Sequence, residues 1–297
     1  MKMIKKLITT LTLIATIIIG PGSITSFGES EEITMRDIYD ESVSYETAVN
    51  DIKGGYYYNQ LNDIEKKTYD KLVEGANNFE EQIDIRGISL EGYYKVQAAF
   101  SYDNPQYFWM HGYTLSVTEN THEPIYAKYK VEPDTKEKFN RVNQITDDII
   151  KSIPEGYDEY EKTKYLYEWV VRNTEYDLEA PENQEVTSVF INKVSVCAGY
   201  SRAFQMLCNK AGLDCTYVTG STDGIGHAWN LMYLEGNYFW TDATWGEISR
   251  KNDRKIGEDI RYDYFLTKDD TMNNTHVLSK DIITKNNHFK NVFSYPD

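Results

Sequence analysis

Positive charge is scarce in this 297-residue chain: 31 Lys and Arg face 47 Asp and Glu, for a formal net charge of −16. So acidic a surface repels nucleic acid and anionic membranes, and neither is expected as a partner. Long apolar runs are also missing, except near the start. There Lys2, Lys5 and Lys6 precede LITTLTLIATIIIG (7–20), which is too short to span a membrane comfortably and suits the hydrophobic region of an export signal. Ser26-Phe27-Gly28 offers a cleavage site before Glu29, so residues 1–28 read as a signal peptide and the protein as secreted, extracellular or cell-wall associated. An uncleaved anchor is the alternative. Removing the three lysines would take the net charge from −16 to −19.

Cysteine is rare. Cys197, Cys208 and Cys215 fall within 19 residues, which is no disulfide framework, and at least one thiol must stay unpaired within the chain. Only five histidines occur, and His111, His122, His276 and His288 have no metal-like spacing and receive no role. TKDDTMNNT lacks the spacing and glycine of a calcium loop, so no metal or cofactor is expected. Internal repeats and low-complexity linkers are absent. The chain reads as one integrated unit, with an N-terminal arm, helices and hairpin over 29–133 and a core over 134–297.

What is present is helical and strand-like periodicity in alternation. Helices are expected after the caps Asn62 (with Ile64, Tyr69, Leu72 and Phe79 on one face) and Ser89, the second ending before Asn104-Pro105. Strands are expected in YFWMHGYTLSV (107–117) and PIYAKYKVE (124–132). Asp134 should cap a helix through Ile153, and another should run from about Glu159 to Asn173 on a Tyr165, Trp169 and Val170 stripe. Residues 29–60 read as a partly ordered arm and 174–193 as an acidic connection. The 25 tyrosines could line a groove for extended peptide or cell-wall glycopeptide, or pack the core.

VSVCAGYSRAF (194–204) sets a cysteine ahead of a helical run, with Tyr200, Phe204, Leu207, Cys208 and Ala211 at helical spacing and Gly212 as the stop. At a helix start, unpaired N–H groups and the helix dipole favour a thiolate. Ala198 and Gly199 would let a substrate approach the sulfur. Cys208 falls on the apolar stripe and reads as packing; a Cys208–Cys215 bridge is left open. DCTYVTG (214–220), the turn STDGIG, HAWNLMYL, a Glu235-Gly236 loop and NYFWTDATW then read as successive strands. With Leu234 opposite Asn237, His227 falls opposite Thr244, and Asp242 becomes its diagonal neighbour on the same face. Trp229 and Trp240 share that face. Thiol, imidazole and carboxylate are the set that nucleophilic acyl transfer needs.

VCAGYSRAFQMLCNKAGL, GHAWN and WTDATWG together resemble the transglutaminase-like superfamily of cysteine enzymes, related in fold to papain-like peptidases. AAFSYDNPQYFWM and YDYFLTKDDTM are similar to the flanks of secreted bacterial members. The resemblance implies an α+β fold, a cysteine helix packed on an antiparallel sheet with an N-terminal helical elaboration. It also implies Cys197 as nucleophile, His227 as general base and Asp242 as orienting carboxylate. The family's animal enzymes have Gln before the cysteine and Trp after it, where this chain has Val196 and Ala198. That departure sets hydrolysis of an amide beside crosslinking. The expected substrate is a protein, a peptide or a cell-wall peptide, with Tyr176 or Trp229 as a second oxyanion donor beside the Cys197 N–H. A cell-wall peptidase or amidase, and a non-catalytic binding protein that keeps the fold, are the alternatives.

Overall fold

The computed structural model describes residues 11–16, 55–247, 260–283 and 288–296. Leu11–Thr16, inside the run read as an export signal, forms strand β1; the proposed cleavage site and most of the acidic arm lie outside the described residues. Residues 55–60 are no loose tether. Tyr57 is fully buried between Tyr102, Phe293 and Tyr295, and its hydroxyl donates to the Tyr217 carbonyl at 2.7 Å.

Helix α1 (Asp63–Asn78) begins at a capping box in which Asn62 accepts from Ile64 and Glu65 while the Glu65 carboxylate accepts from Asn62 N. Its buried face holds Tyr69 and Leu72, but Ile64, expected there, is 56% exposed because it lies in the open first turn. After the short strand β2 (Gln82–Asp84), α2 (Leu90–Asp103) starts on the Ser89 cap and is buried almost all round. The strand expected from residue 107 starts later: Phe108–Met110 is a 3₁₀ turn, and only β3 (Gly112–Val117) and β4 (Pro124–Tyr129) are extended. They form the antiparallel sheet β1-β3-β4-β2. The tyrosines here pack rather than line a groove: the Tyr93 and Tyr129 hydroxyls bond each other and Gln97 in the interior.

Helices α3 (Thr135–Lys151) and α4 (Glu159–Asn173) follow. Asp134 makes no side-chain cap and pairs with Lys138 instead, whereas Asp158 and Glu161 close a full capping box on α4. On α4 the buried stripe is Leu166, Tyr167, Val170 and Val171, with Tyr165 and Trp169 only partly covered. The acidic connection is partly built: β5 (Glu175–Tyr176) pairs in parallel with β6 (Val194–Ser195), separated by a π-helical turn at Ser188–Asn192. Then comes α5 (Cys197–Lys210), lying across a second antiparallel sheet. That sheet runs β10-β7-β8-β9, from β7 (Asp214–Thr222), β8 (Ile225–Leu234), β9 (Asn237–Thr241) and, after helix α6 (Asp269–Met272), β10 (His276–Leu278). A last pair, β11 (Ile282–Ile283) and β12 (His288–Phe289), follows.

Both hairpin turns are two residues long, Asp223-Gly224 and Glu235-Gly236, all four with positive φ as such turns require. The first is shorter than expected, since Ser221, Thr222, Ile225 and Gly226 stay in the ladder. The second sets Leu234 opposite Asn237, the register on which the His227–Asp242 argument depended. Both faces of β8 are covered: Leu231 and Met232, adjacent and fully buried, join different apolar clusters. The fold is α+β. The N-terminal part is fused to the core through α5, where Arg202 donates to the Ser101 carbonyl at 2.7 Å and lies over the Tyr217 ring, and Gln205 donates to Tyr102 O.

Candidate active site

Cys197 is the first residue of α5. Val196 before it is extended and offers no side-chain cap, and the first helical bond is Tyr200 N to Val196 O. The N–H groups of Cys197, Ala198 and Gly199 therefore have no acceptor within the helix. Gly199 is required for a reason other than substrate access. A Cβ there would overlap Ser195 Oγ and crowd Ser188 Oγ and the Asn183 carbonyl, so its bareness seats the helix start on the preceding loop. At the sheet side, Ser201 Oγ donates to Ala228 O and Asn230 Nδ2 to Ser201 O, which fixes the height of α5 over the strand that carries His227.

His227 Nε2 lies 2.7 Å from Asp242 Oδ2, and Cys197 is near enough to raise the imidazole pKa. With Nε2 engaged, Nδ1 is the ring nitrogen left for Cys197. A carboxylate only accepts, so Nε2 carries a hydrogen and Nδ1 is free to accept from the thiol. Burial pulls the His227 pKa down, but the Asp242 charge, its hydrogen bond and Cys197 outweigh it and push the imidazole up to about 10. Burial likewise works to raise Asp242, yet His227 and then His276 hold that carboxyl well below the usual range.

His276, given no role by sequence, sits at the centre of this site. Its Nε2 lies 3.2 Å from the same Asp242 oxygen, and its Nδ1 is 2.8 Å from Thr275 Oγ1. Its only sequence signal was a histidine after an acidic turn, which spacing cannot distinguish from any surface residue. One donor atom from each of His227, Asp242 and His276 falls within 4.8 Å of the others, close enough to ligate a cation; hydrogen bonds among them already account for that convergence.

Tyr176 is brought near Cys197 by the parallel bridge that pairs it with Ser195, two residues before Cys197. Burial, followed by the charges of Cys197 and Asp242, pushes its hydroxyl up to about 12, and the residue remains 40% exposed at the mouth of the site. Trp229 is different: it is buried, its indole stacks on His227 at 6.0 Å, and it faces His276 edge-on at 4.9 Å. Cys208 and Cys215 are both buried and free, in contact with each other; burial and then Cys208 drive the Cys215 thiol upward.

The fold sets a cysteine at the head of a helix packed on an antiparallel sheet, with an imidazole and a buried carboxylate beside it. Residues 143–245 match the model of the transglutaminase-like superfamily. Kyphoscoliosis peptidase of Mus musculus is 29% identical over 122 residues, covering 35% of this chain and 18% of its own length. The Homo sapiens protein of that name is 27% identical over 122 residues with the same coverage, so the match spans under a fifth of either relative. A crystal structure of a TGase superposes with a TM-score of 0.36 at 20% identity, covering 50% of this chain and 48% of that one.

Proposed function

We propose that this protein is a cysteine-nucleophile acyl-transfer enzyme that cleaves amide bonds of proteins or peptides through a thioester. The reading is carried by one observation: a cysteine at the uncapped start of α5 lies beside an imidazole that is bonded to a buried carboxylate. His227, made strongly basic by Asp242, takes the thiol proton, and the sulfur attacks the carbonyl carbon. The imidazolium then gives its proton to the leaving amine as the C–N bond breaks. Water or a second amine, deprotonated by His227, resolves the thioester and returns the thiol. The free N–H of Cys197 and the Tyr176 hydroxyl are the donors for the oxyanion. Trp229, buried against His227 with no hydrogen-bond partner for its indole N–H among the described residues, stays the alternative second donor.

The peptidase name of the relatives supports water as the acceptor. The deciding experiment incubates wild type and Cys197→Ala with protein, peptide and cell-wall substrates, with and without a primary amine, and identifies products by mass spectrometry. Cleavage or amine incorporation that depends on Cys197 supports the enzyme, the acceptor naming its type; no product in any arm sinks it and favours a binding role. Export is part of the reading. The extracellular protein should begin between about residues 26 and 30, and its release would take β1 with it, leaving β3 at a sheet edge.

A further inference from the structure

Asp242 lies one residue beyond β9, where the chain has left the ladder, so the hairpin register that carries it toward His227 does not hold its side chain. Something else must. Its Oδ1 accepts from the backbone N–H groups of Thr244 (2.8 Å) and Trp245 (3.3 Å), and its Oδ2 accepts from both His227 and His276. We propose that His276 is a positioning residue that locks the Asp242 carboxylate for His227, making residues 260–278, outside the stretch matched to the family, a working part of the site. This inference rests on the acyl-transfer reading above.

Three further observations support it. First, His276 is itself immobilised. Its Nδ1 is paired with Thr275, and its ring is boxed by Trp245 at 4.7 Å, Trp229 at 4.9 Å and Tyr264 at 5.3 Å. Second, the same segment holds the backbone of Asp242, whose N–H donates to Tyr264 O at 2.9 Å. Third, the strand that carries His276 is admitted by a glycine: a Cβ on Gly220 would overlap the Val277 carbonyl and the Trp229 ring. A second donor on Oδ2 removes the freedom of the carboxylate to turn away from His227, and partners of this kind set the orientation and tautomer of an active imidazole.

The test needs no natural substrate. Iodoacetamide alkylation of Cys197 is followed against pH, with site identification by mass spectrometry, for wild type, His276→Phe and His276→Gln, beside melting curves. The other groups facing the pair are unchanged in all three proteins: Cys197 on α5, Tyr176 on β5, Tyr167 on α4, and Glu247 and Tyr264. Phe fills the aromatic box without donating; Gln keeps a donor toward Asp242. With the carboxylate loosened, the acid limb of the alkylation profile should rise by ~1 pH unit in His276→Phe, a ~10-fold slower reaction below the limb, and stay near wild type in His276→Gln. A merely structural histidine would lower the melting temperature and leave the limb in place. A limb that is unmoved or falls in His276→Phe overturns the proposal. A wild-type profile no different from that of a free thiol overturns the functional reading, and this assignment with it. If His276→Phe does not fold, imidazole ¹⁵N shifts of wild type decide: a protonated, hydrogen-bonded Nε2 on His276 is expected, and a bare Nε2 refutes the lock.

Discussion

Replacing Asp242 by Asn changes one atom pair and should inactivate the site through a tautomer. Against the pull of burial, Asp242 and, after it, Cys197 raise His227 from an ordinary 6.5 to about 10, a preference for the protonated ring worth ~5 kcal/mol in all. In Asp242→Asn the Oδ1 can still accept from Thr244 and Trp245. The other position becomes an NH₂ group, which donates. His227 Nε2 must then accept, its hydrogen moves to Nδ1, and the ring points a hydrogen at the sulfur where a base is needed. A wrong tautomer of this sort costs ~10⁴ in turnover elsewhere, and a loss of that order is expected here. Asp242→Ala should be milder in rate, because no inverted donor remains, but it leaves buried donors without an acceptor at ~1–3 kcal/mol each. The assay is Cys197 alkylation against pH, with melting curves across the same range. Asp242→Asn should shift alkylation toward the behaviour of a free thiol. Linkage gives a second sign: a raised imidazole stabilises fully below about 6.5 and loses that contribution as pH rises through about 10. Wild type should therefore lose stability across that window, and Asp242→Asn should lose less. Coincident alkylation profiles would show that Asp242 does not control the Cys197–His227 pair.

Gly199→Ala should destabilise the protein by ~1–3 kcal/mol and cut activity, because the new methyl collides with Ser195 Oγ at the helix start; an unchanged melting temperature contradicts that packing. Cys208, fully buried, should alkylate slowly in the native state, and Cys208→Ala should keep most turnover at a cost of ~1 kcal/mol; fast labelling there, or lost activity with the fold intact, argues against a packing role. Chelation by EDTA should leave turnover unchanged, and rescue of lost activity by added calcium would move the protein toward the animal enzymes of the superfamily.

Local chemistry in the sequence determined a good deal: the Asn62 and Ser89 helix starts, the helix from about Glu159, the cysteine at the head of α5, and the hairpin register that sets Asp242 diagonal to His227. Each of these depends on residues a few positions apart, where caps, periodicity and two-residue turns leave a readable pattern. The same rules misjudged Ile64, which has the right period but sits in the exposed first turn of α1, and residues 107–111, where strand-like aromatics enter a 3₁₀ turn. What only the tertiary structure decided joins residues distant in sequence. The β5–β6 bridge sets Tyr176 near Cys197 across 19 positions, Arg202 is buried by docking against α2 about a hundred residues away, and His276 reaches Asp242 across 34. No period links such positions; they meet because crossing strands and a packed helix bring their backbones together. Local pattern in the sequence therefore singled out Cys197, His227 and Asp242, while packing decided that His276 joins them.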